Sequence, residues 1–486
     1  MTEIADFATI VLLASAALFA AISLRPLTER VGVPAAALFL VLPVVAGEVF
    51  PELGEQLSIV DVERITTVAL VVILFSGGLG IGVRRFRASA GPILATGVLG
   101  TFATAGLLAA AAHWLLGLDW TLAGLVGAAL APTDPAVTFS VFGNREVRGR
   151  SGTILEGESG ANDPVGIALM IGMIEFATHD DATFGVVVEE FVVELAIGLA
   201  VGGVAAVALL PVFRRLPLPD PSLYALRVLA CAGIVYGAAA LAHGSGFIAV
   251  FVAGILLGDA AMPHKGEIER FHHALASLAE IAAFLALGLS VDFALLDDRT
   301  VWVDGVVLFA LLAFLVRPSA IGLLLLPARL RPSERLFVMW GGLKGAVPIL
   351  LAALAVIAGV DGEDYLYAVV FVVVLLSVVV QGTSMPHVAR FLRIPFRTVD
   401  HETAELRSFR VGAGAIADGA HVADLPFAER AWVGGVRRDG ARLQLRDGLV
   451  LRAGDVVEVL TEAGDEPAVR RVIEGPLDAA SGQPES

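Results

Sequence analysis

The stretch Glu158-Ser159-Gly160-Ala161-Asn162-Asp163-Pro164 places two carboxylates and an amide at the start of a long apolar run. The run continues from Val165 to Ile174 without a charged residue. Ionisable groups at bilayer depth are costly and usually mark ion pathways or proton relays. These residues therefore predict a membrane protein that moves ions.

The composition of the whole chain agrees with a membrane protein. Of its 486 residues 57% are hydrophobic and 17% charged, and the mean hydropathy is +0.82. A soluble chain of this length carries more charge and fewer long apolar runs. The single cysteine, Cys231, lies in an apolar run, so no disulfide or metal framework is available. We also expect no cofactor. The acidic residues before the first apolar run predict no cleavable signal peptide.

Hydropathy and helix breakers predict about thirteen membrane spans in an all-α unit over residues 1–395. The spans are 7–24, 33–47, 65–83, 91–117, 120–142, 157–176, 184–213, 228–243, 246–262, 273–292, 302–326, 336–358 and 365–388.

Charge alternates between the loops and predicts the orientation. One set of loops holds nearly all the basic residues, namely Arg25, Arg30, Arg84, Arg85, Arg87, Arg145, Arg148, Arg150, Arg214, Arg215, Arg227, Lys265, Arg270, Arg329, Arg331, Arg335, Arg390, Arg393 and Arg397. The other set holds Arg64 and Arg299 among many acids. Basic loops face the cytoplasm. We therefore expect a multi-pass protein of the cytoplasmic membrane with its N-terminus outside and its C-terminus inside.

The chain after Arg397 has a soluble composition. Alternating runs such as Val456-Val457-Glu458-Val459-Leu460, separated by turns such as Arg438-Asp439-Gly440, predict a small α+β cytoplasmic domain over 403–475. Residues 476–486 are predicted to be a disordered tail.

Two basic residues, Arg317 and Lys344, remain inside the spans. An unpaired guanidinium at that depth is untenable, so Arg317 needs an acid, and Glu158 is the first choice. The alternative is that Arg317 extends its head group to the membrane interface.

Two spans are interrupted. Ala131-Pro132-Thr133-Asp134-Pro135 breaks span 5, and Gly341-Gly342-Leu343-Lys344-Gly345-Ala346 breaks span 12. Their spacing fits two inverted repeats, spans 1–6 and 8–13, with two discontinuous crossing helices at a transport site. Asp134 and Lys344 could offset the dipoles of the helix ends. The alternative is that the prolines only kink the helices for packing.

Asp163 is the candidate ion carrier. Burial favours the neutral form of a carboxylate, so Asp163 can bind either a proton or a monovalent cation. Ser159 and Thr133 could add oxygen ligands. Asn162 is neutral, which predicts one cation per proton and electroneutral exchange. Glu158 is assigned mainly to neutralising Arg317.

These residues resemble the cation:proton antiporter superfamily, in its NhaP and sodium–proton exchanger branch. The resemblance rests on Thr133-Asp134-Pro135, the string from Glu158 to Pro164, Arg317, the string from Gly341 to Ala346, and Gln381-Gly382-Thr383-Ser384. It implies a core domain that moves against a dimerisation domain, a homodimer, Asp163 as the transported-ion aspartate and a structural Glu158–Arg317 pair. Lys344 stands where many members have arginine, and Asp259 where many have asparagine.

The tail is similar to the TrkA-C type of regulatory module of potassium transporters, on residues 422–426, 436–440 and 452–457. That similarity favours K⁺ over Na⁺ as the exchanged cation and implies a possible small-molecule regulator at 403–475. We expect membrane lipid, monovalent cations and protons as partners, and no nucleic acid.

The sequence is compatible with three functions. A cation/proton antiporter fits best. A tail-gated cation channel would need a selectivity filter, which a single-copy site does not supply. An intramembrane hydrolase using Asp134 and Asp163 would leave the paired breaks unexplained. The sequence therefore predicts a transporter and no enzyme activity.

Overall fold

A computed structural model describes most of the chain. The described residues are 12, 15–20, 22–24, 33–49, 58–134, 137, 142, 145–147, 149–179, 184–291, 293–398, 405–422, 425, 431–443, 449–461 and 466–475. Pro135, much of the predicted span 7–24 and the predicted tail 476–486 lie outside them. The chain divides into two compact units, Met1–Arg397 and Thr398–Ser486.

The first unit is built from helices. They are α1 (Ala35–Val49), α2 (Ile59–Leu94), α3 (Gly100–Leu116), α4 (Trp120–Leu130), α5 (Arg150–Thr178), α6 (Phe184–Arg215), α7 (Pro221–Leu241), α8 (Gly246–Gly258), α9 (Lys265–Leu289), α10 (Phe293–Leu296), α11 (Arg299–Leu311), α12 (Arg317–Leu324), α13 (Pro332–Trp340), α14 (Ala346–Ala358), α15 (Glu363–Leu376) and α16 (Thr383–Phe391). Two short strands, β1 (Arg145–Val147) and β2 (Phe396–Thr398), pair with each other.

Within the described ranges, six helical runs are long and apolar enough to cross a membrane. They are Ile59–Leu116, Phe191–Arg215, Pro221–Leu241, Lys265–Leu289, Arg299–Leu324 and Glu363–Phe391. Shorter apolar helices include α4, α8 and α14. Helix α5 is also long enough to cross a membrane. It is less apolar than the six runs because it carries Glu156, Glu158, Asp163 and Glu175. The unit is therefore a bundle of mostly apolar helices in which the more polar helix α5 is embedded.

Helix α2 changes direction at Gly82, where φ is 65° and ψ is 166°. The backbone N–H of Arg84 donates a hydrogen bond to Asp259 Oδ2 at 2.7 Å, so this carboxylate caps the helical residues that follow. A Cβ at Gly82 would collide with the same carboxylate. The predicted spans 65–83 and 91–117 are thus separated by a break at the single residue Gly82 and not by a non-helical loop over 84–90. Residues 84–90 are helical because the capped break turns the chain at one residue.

Three longer helical runs contain π-helical turns, at Ala95–Leu99, Leu312–Val316 and Ser377–Gly382. Such turns add a residue to the helix and often occur at functional sites. The first packs on α5, because a Cβ on Gly97 would meet Ala161 and the carbonyl of Glu158. The second leads directly into Arg317.

The second unit has a four-stranded antiparallel sheet and one helix. The strands β3 (Glu405–Arg410), β4 (Ala431–Arg438), β5 (Ala441–Leu443) and β6 (Val456–Thr461) lie in the order β3-β6-β4-β5. Helix α17 (Glu466–Glu474) buries Val469 and Ile473 in the core with Phe409 and Val457. Between β4 and β5, Asp439 and Gly440 both have positive φ, the geometry of a two-residue hairpin turn.

Asp455 is a buried acid of this unit. It accepts hydrogen bonds from Arg438 Nε and Nη2, both at 2.8 Å, and from the backbone N–H of Arg452 at 2.9 Å. The bonds from Arg438 above all, with that from Arg452, hold the pKa of Asp455 below its ordinary value. The carboxylate therefore stabilises the folded unit at neutral pH. This contribution is lost as the pH falls through the lowered pKa.

We predict that Asp455→Asn accelerates hydrogen exchange across residues 449–461 of the full-length protein at pH 7. One charged partner of a buried hydrogen-bonded pair is lost, at a cost of about 2 kcal/mol. Between pH 7 and pH 3, the exchange rate corrected for its intrinsic pH dependence should rise less in the variant than in the wild type. The reason is that the variant has no carboxylate at position 455 to protonate. The exposed Asp439→Asn is the control, and equal behaviour of the two variants would contradict this role.

Candidate ion-binding site

Four polar side chains of α5 are almost fully buried near the middle of the helix. Glu158 and Ser159 are 1% exposed, Asn162 is 2% exposed and Asp163 is 4% exposed. A spacing of four residues places Glu158 above Asn162 and Ser159 above Asp163 on adjoining strips of the helix surface. Helix α5 thus presents two neighbouring polar pairs to the elements packed on it.

The first of those elements is the interrupted segment after α4. Helix α4 ends at Leu130, and residues 131–134 are not helical. Asn162 Nδ2 donates to Thr133 Oγ1 at 2.8 Å, and the Ser159 hydroxyl donates to the Thr133 carbonyl. Gly166 lets α5 approach closely, because a Cβ there would overlap Pro132. Both side chains of α5 therefore satisfy polar groups of Thr133 that the break exposes.

Besides the two oxygens of Glu158, two side-chain oxygens at this site have no hydrogen-bond partner among the described residues. They are Asn162 Oδ1 and Asp163 Oδ1, and both are buried. A buried acceptor without a donor is destabilising unless a ligand satisfies it. Amide and carboxylate oxygens, with the nearby hydroxyls of Ser159 and Thr133, are a donor set suited to a hard cation.

The second interrupted segment lies between α13 and α14. Residues 341–345 are not helical, and their backbone bonds to the first break, since Asp134 N–H donates to the Leu343 carbonyl at 2.8 Å. The ammonium of Lys344, 1% exposed, donates to the carbonyls of Ala131 at 2.9 Å and Pro132 at 2.7 Å. These carbonyls follow the C-terminal end of α4, where a positive charge is stabilising.

Asp134 lies at the other end of this arrangement. A Cβ on Gly345 would overlap the Asp134 side chain, so the carboxylate lies against the backbone at the start of α14. A negative charge is stabilising at a helix N-terminus. Each broken segment thus supplies a charge to a helix end of the other. The ammonium of Lys344 needs only two carbonyls here, so the bidentate fork of an arginine is not required.

Arg317 reaches the same region from α12. Its Nη2 lies 2.9 Å from Glu158 Oε1, and both residues are almost fully buried. The guanidinium also donates to the carbonyls of Met339 at 2.9 Å and Val338 at 3.2 Å, in the last turn of α13. Neither Glu158 oxygen has an aligned hydrogen bond within the described residues, so the pair is held by charge. A Cβ on Gly342 would overlap the guanidinium.

Ser377 and Gln381 support the second break, and reasoning from the sequence did not assign them a role. Lys344 N–H donates to Ser377 Oγ at 2.9 Å, and Ser377 donates to Gln381 Oε1 at 2.7 Å. Gln381 Nε2 in turn donates to the Trp340 carbonyl at the end of α13. Both lie in the π-helical turn Ser377–Gly382. The available signal was two polar residues, one turn apart, in an otherwise apolar span.

Within the described ranges there is no group of three or more His, Cys, Asp or Glu side chains that could hold a metal ion. The site around Asp163 is built instead from single carboxylate, amide and hydroxyl oxygens.

Comparison with known proteins gives a consistent result. A family model described as "Sodium/hydrogen exchanger, transmembrane" matches residues 13–391. The K(+)/H(+) antiporter NhaP of Alkalimonas amylolytica is 34% identical over 92% of this chain and 80% of its own length. The K(+)/H(+) antiporter NhaP2 of Shewanella sp. (strain ANA-3) is 32% identical over 78% of this chain and 66% of its own length.

Two further matches extend the comparison. The Na(+)/H(+) antiporter NhaH of Halobacillus dabanensis is 30% identical over 60% of this chain and 74% of its own length. The solved structure of the sodium proton antiporter MjNhaP1 from Methanocaldococcus jannaschii at pH 8 aligns with a TM-score of 0.68 at 20% identity. It covers 80% of this chain and 99% of that one. This likeness establishes the fold.

We predict that Glu158→Gln lowers the free energy of unfolding by about 3–5 kcal/mol, because Arg317 keeps its buried charge without a counter-charge. Thermal unfolding of the purified full-length protein in detergent measures the loss. The control is Glu156→Gln on the same helix, since Glu156 is partly exposed and pairs with the half-exposed Arg85 at 3.2 Å. If both variants unfold at the same temperature, Glu158 is not the counter-charge.

Proposed function

The chain belongs to the sodium/hydrogen exchanger family, and from that premise we propose that it is a secondary active antiporter exchanging a monovalent cation for H⁺. We propose alternating access as its mechanism, with the cation and the proton competing for Asp163. Ions move and no covalent bond changes, so the proposal includes no enzyme activity.

The observation that carries the proposal is the balance of charge around the two breaks. Glu158, Asp134 and Asp163 are three acids, and Arg317 and Lys344 are two bases. When all five groups are ionised, their net charge is −1. An uncompensated charge inside a membrane costs free energy. One proton or one monovalent cation removes it.

Asp163 is the group to which this exchange is assigned. Glu158 faces Arg317 at 2.9 Å, and Asp134 lies against the start of α14, whereas Asp163 Oδ1 is among the unpartnered oxygens. A carboxylate that holds a proton cannot also hold a cation. If only the two loaded forms reorient across the membrane, the ligands exchange one for one.

The neutral side chain of Asn162 supports an electroneutral cycle. An acid in its place would add a second negative charge and a second titratable group. Asn162 is instead fixed by its bond to Thr133, which leaves its side-chain oxygen without a hydrogen-bond partner among the described residues. We therefore propose that the cation is held at Asp163, Asn162, Ser159 and Thr133, with Asp134 and Lys344 fixing the surrounding helix ends.

K⁺ is the favoured cation, and Na⁺ is the alternative. Of the four proteins compared above, the NhaP and NhaP2 relatives are named as K(+)/H(+) antiporters, and NhaH and MjNhaP1 are named as sodium/proton antiporters. The small C-terminal sheet unit supports K⁺ through its resemblance to TrkA-C modules. We further propose that this unit is a cytoplasmic regulatory domain over 403–475 that binds a small molecule.

The finer architecture is also proposed. Thirteen spans in two inverted repeats, with the segments around Asp134 and Lys344 as crossing discontinuous helices, agree with the loop charges and with the contacts between the breaks. We propose a homodimer in the cytoplasmic membrane with the N-terminus outside.

We predict that Asp163→Asn abolishes exchange while the protein still folds, because an amide neither binds a proton nor supplies the negative charge. Proteoliposomes with an imposed pH gradient, to which K⁺, Na⁺ or Li⁺ is added, should then behave like empty liposomes. The exposed Asp297→Asn is the matched control and should exchange at the wild-type rate. Residual dissipation of the gradient by Asp163→Asn would remove Asp163 from its role.

We predict that an imposed membrane potential leaves the exchange rate unchanged and drives no net exchange, because one charge moves in each direction. The same proteoliposomes provide the measurement. A rate that follows the potential would contradict one-for-one stoichiometry. A steady cation current without proton movement would favour the channel alternative.

A further inference from the structure

One face of α5 carries both Glu156 and Asp163. Glu156 lies seven residues before Asp163, which is two helical turns or about 10 Å along the same face. Its side chain is 33% exposed, whereas Ser159, between the two, is 1% exposed. Asp163 is also buried, with 4% of its surface exposed. Solvent access along this face therefore ends between Glu156 and Asp163.

The aromatic ring of Phe251 lies at that point. Phe251 belongs to α8 and is 5% exposed. Gly160 sits on the same face of α5, one turn before Asp163, and a Cβ at Gly160 would overlap three atoms of the Phe251 ring. The ring therefore lies directly on the backbone of α5, between the partly exposed carboxylate of Glu156 and the buried carboxylate of Asp163.

Helix α8 contacts α2 through backbone atoms, whereas it contacts Gly160 of α5 through the side chain of Phe251. A Cβ on Gly78 would meet the Phe251 carbonyl and the backbone at Gly254, and a Cβ on Gly258 would meet the backbone at Gly82. Helices α2 and α8 thus pack backbone against backbone, which leaves little freedom to move apart. On the α5 side a side-chain ring rests on a glycine. The backbone contacts of α2 with α8 do not depend on the position of that ring.

We propose that Phe251 is the barrier that separates Asp163 from solvent at the end of α5 that carries Arg150, and that its ring must leave Gly160 for ions to reach the site from that side. The inference rests on the proposed role of Asp163. The Arg85–Glu156 pair, 3.2 Å apart, lies at the mouth of this route. Gly160 is required because any larger residue displaces the ring.

The test measures access to Asp163 directly and does not depend on exchange. Cys231, the one cysteine of the chain, is replaced by alanine, and Asp163→Cys is introduced. The membrane-impermeant cation 2-(trimethylammonium)ethyl methanethiosulfonate is applied to right-side-out and inside-out vesicles. We expect Phe251→Ala to speed modification by about tenfold, the effect of lowering a barrier by about 1.4 kcal/mol. The gain should occur only from the side that carries Arg150, predicted to be cytoplasmic.

A second variant and two controls make the result decisive. Gly160→Ala keeps the ring but displaces it, so it should raise the rate in the same direction. Phe247→Ala removes a buried ring one turn away on α8 that packs on Tyr236, and it should leave the rate unchanged. Glu156→Cys, at the mouth, should react equally fast with or without Phe251. Equal Asp163→Cys rates in the Phe251→Ala, Gly160→Ala and Phe247→Ala backgrounds would overturn the proposal. If the wild-type protein showed no cation/proton exchange in proteoliposomes, the proposed function would be overturned instead.

Discussion

The structure around the site depends on the ends of interrupted helices that lie inside the membrane. Each interruption leaves carbonyls and N–H groups without intrahelical partners, in a medium that supplies no water. Lys344 satisfies the carbonyls beyond α4, and Arg317 satisfies those at the end of α13. Thr133 is bound by two side chains of α5. Without these groups the backbone at the breaks would be left unsatisfied beside Asp163, at a cost of several kcal/mol for each group.

The two cations that stabilise the breaks also set the charge of the site. Arg317 has Glu158 as its counter-charge, and Lys344 shares the region with Asp134 and Asp163. Structural need thus fixes two positive charges, and three acids surround them. The excess of one negative charge is what a transported proton or monovalent cation can neutralise. Structure and transport are therefore coupled through the same residues.

Glycine determines which surfaces are fixed and which can move. Helices α2 and α8 meet at Gly78 and Gly82 with backbone contacts, and α5 meets the first break at Gly166. Between α8 and α5 the contact at Gly160 is a phenylalanine ring. Because a ring can move more readily than two packed backbones can separate, this seam is where we expect the two sides of the site to part.

The sequence by itself determined the membrane class, the positions of both interruptions and the small C-terminal domain, because apolar length, proline, glycine and buried charge are local signals. It also selected Glu158 for Arg317, since so few ionisable residues lie in the spans. Only the tertiary structure decided the partners of Lys344, the roles of Ser377 and Gln381, the cap from Asp259 at Gly82 and the position of Phe251 on Gly160. Those contacts join residues distant in the chain through hydrogen-bond direction and close packing. A pattern along one sequence carries no information on either.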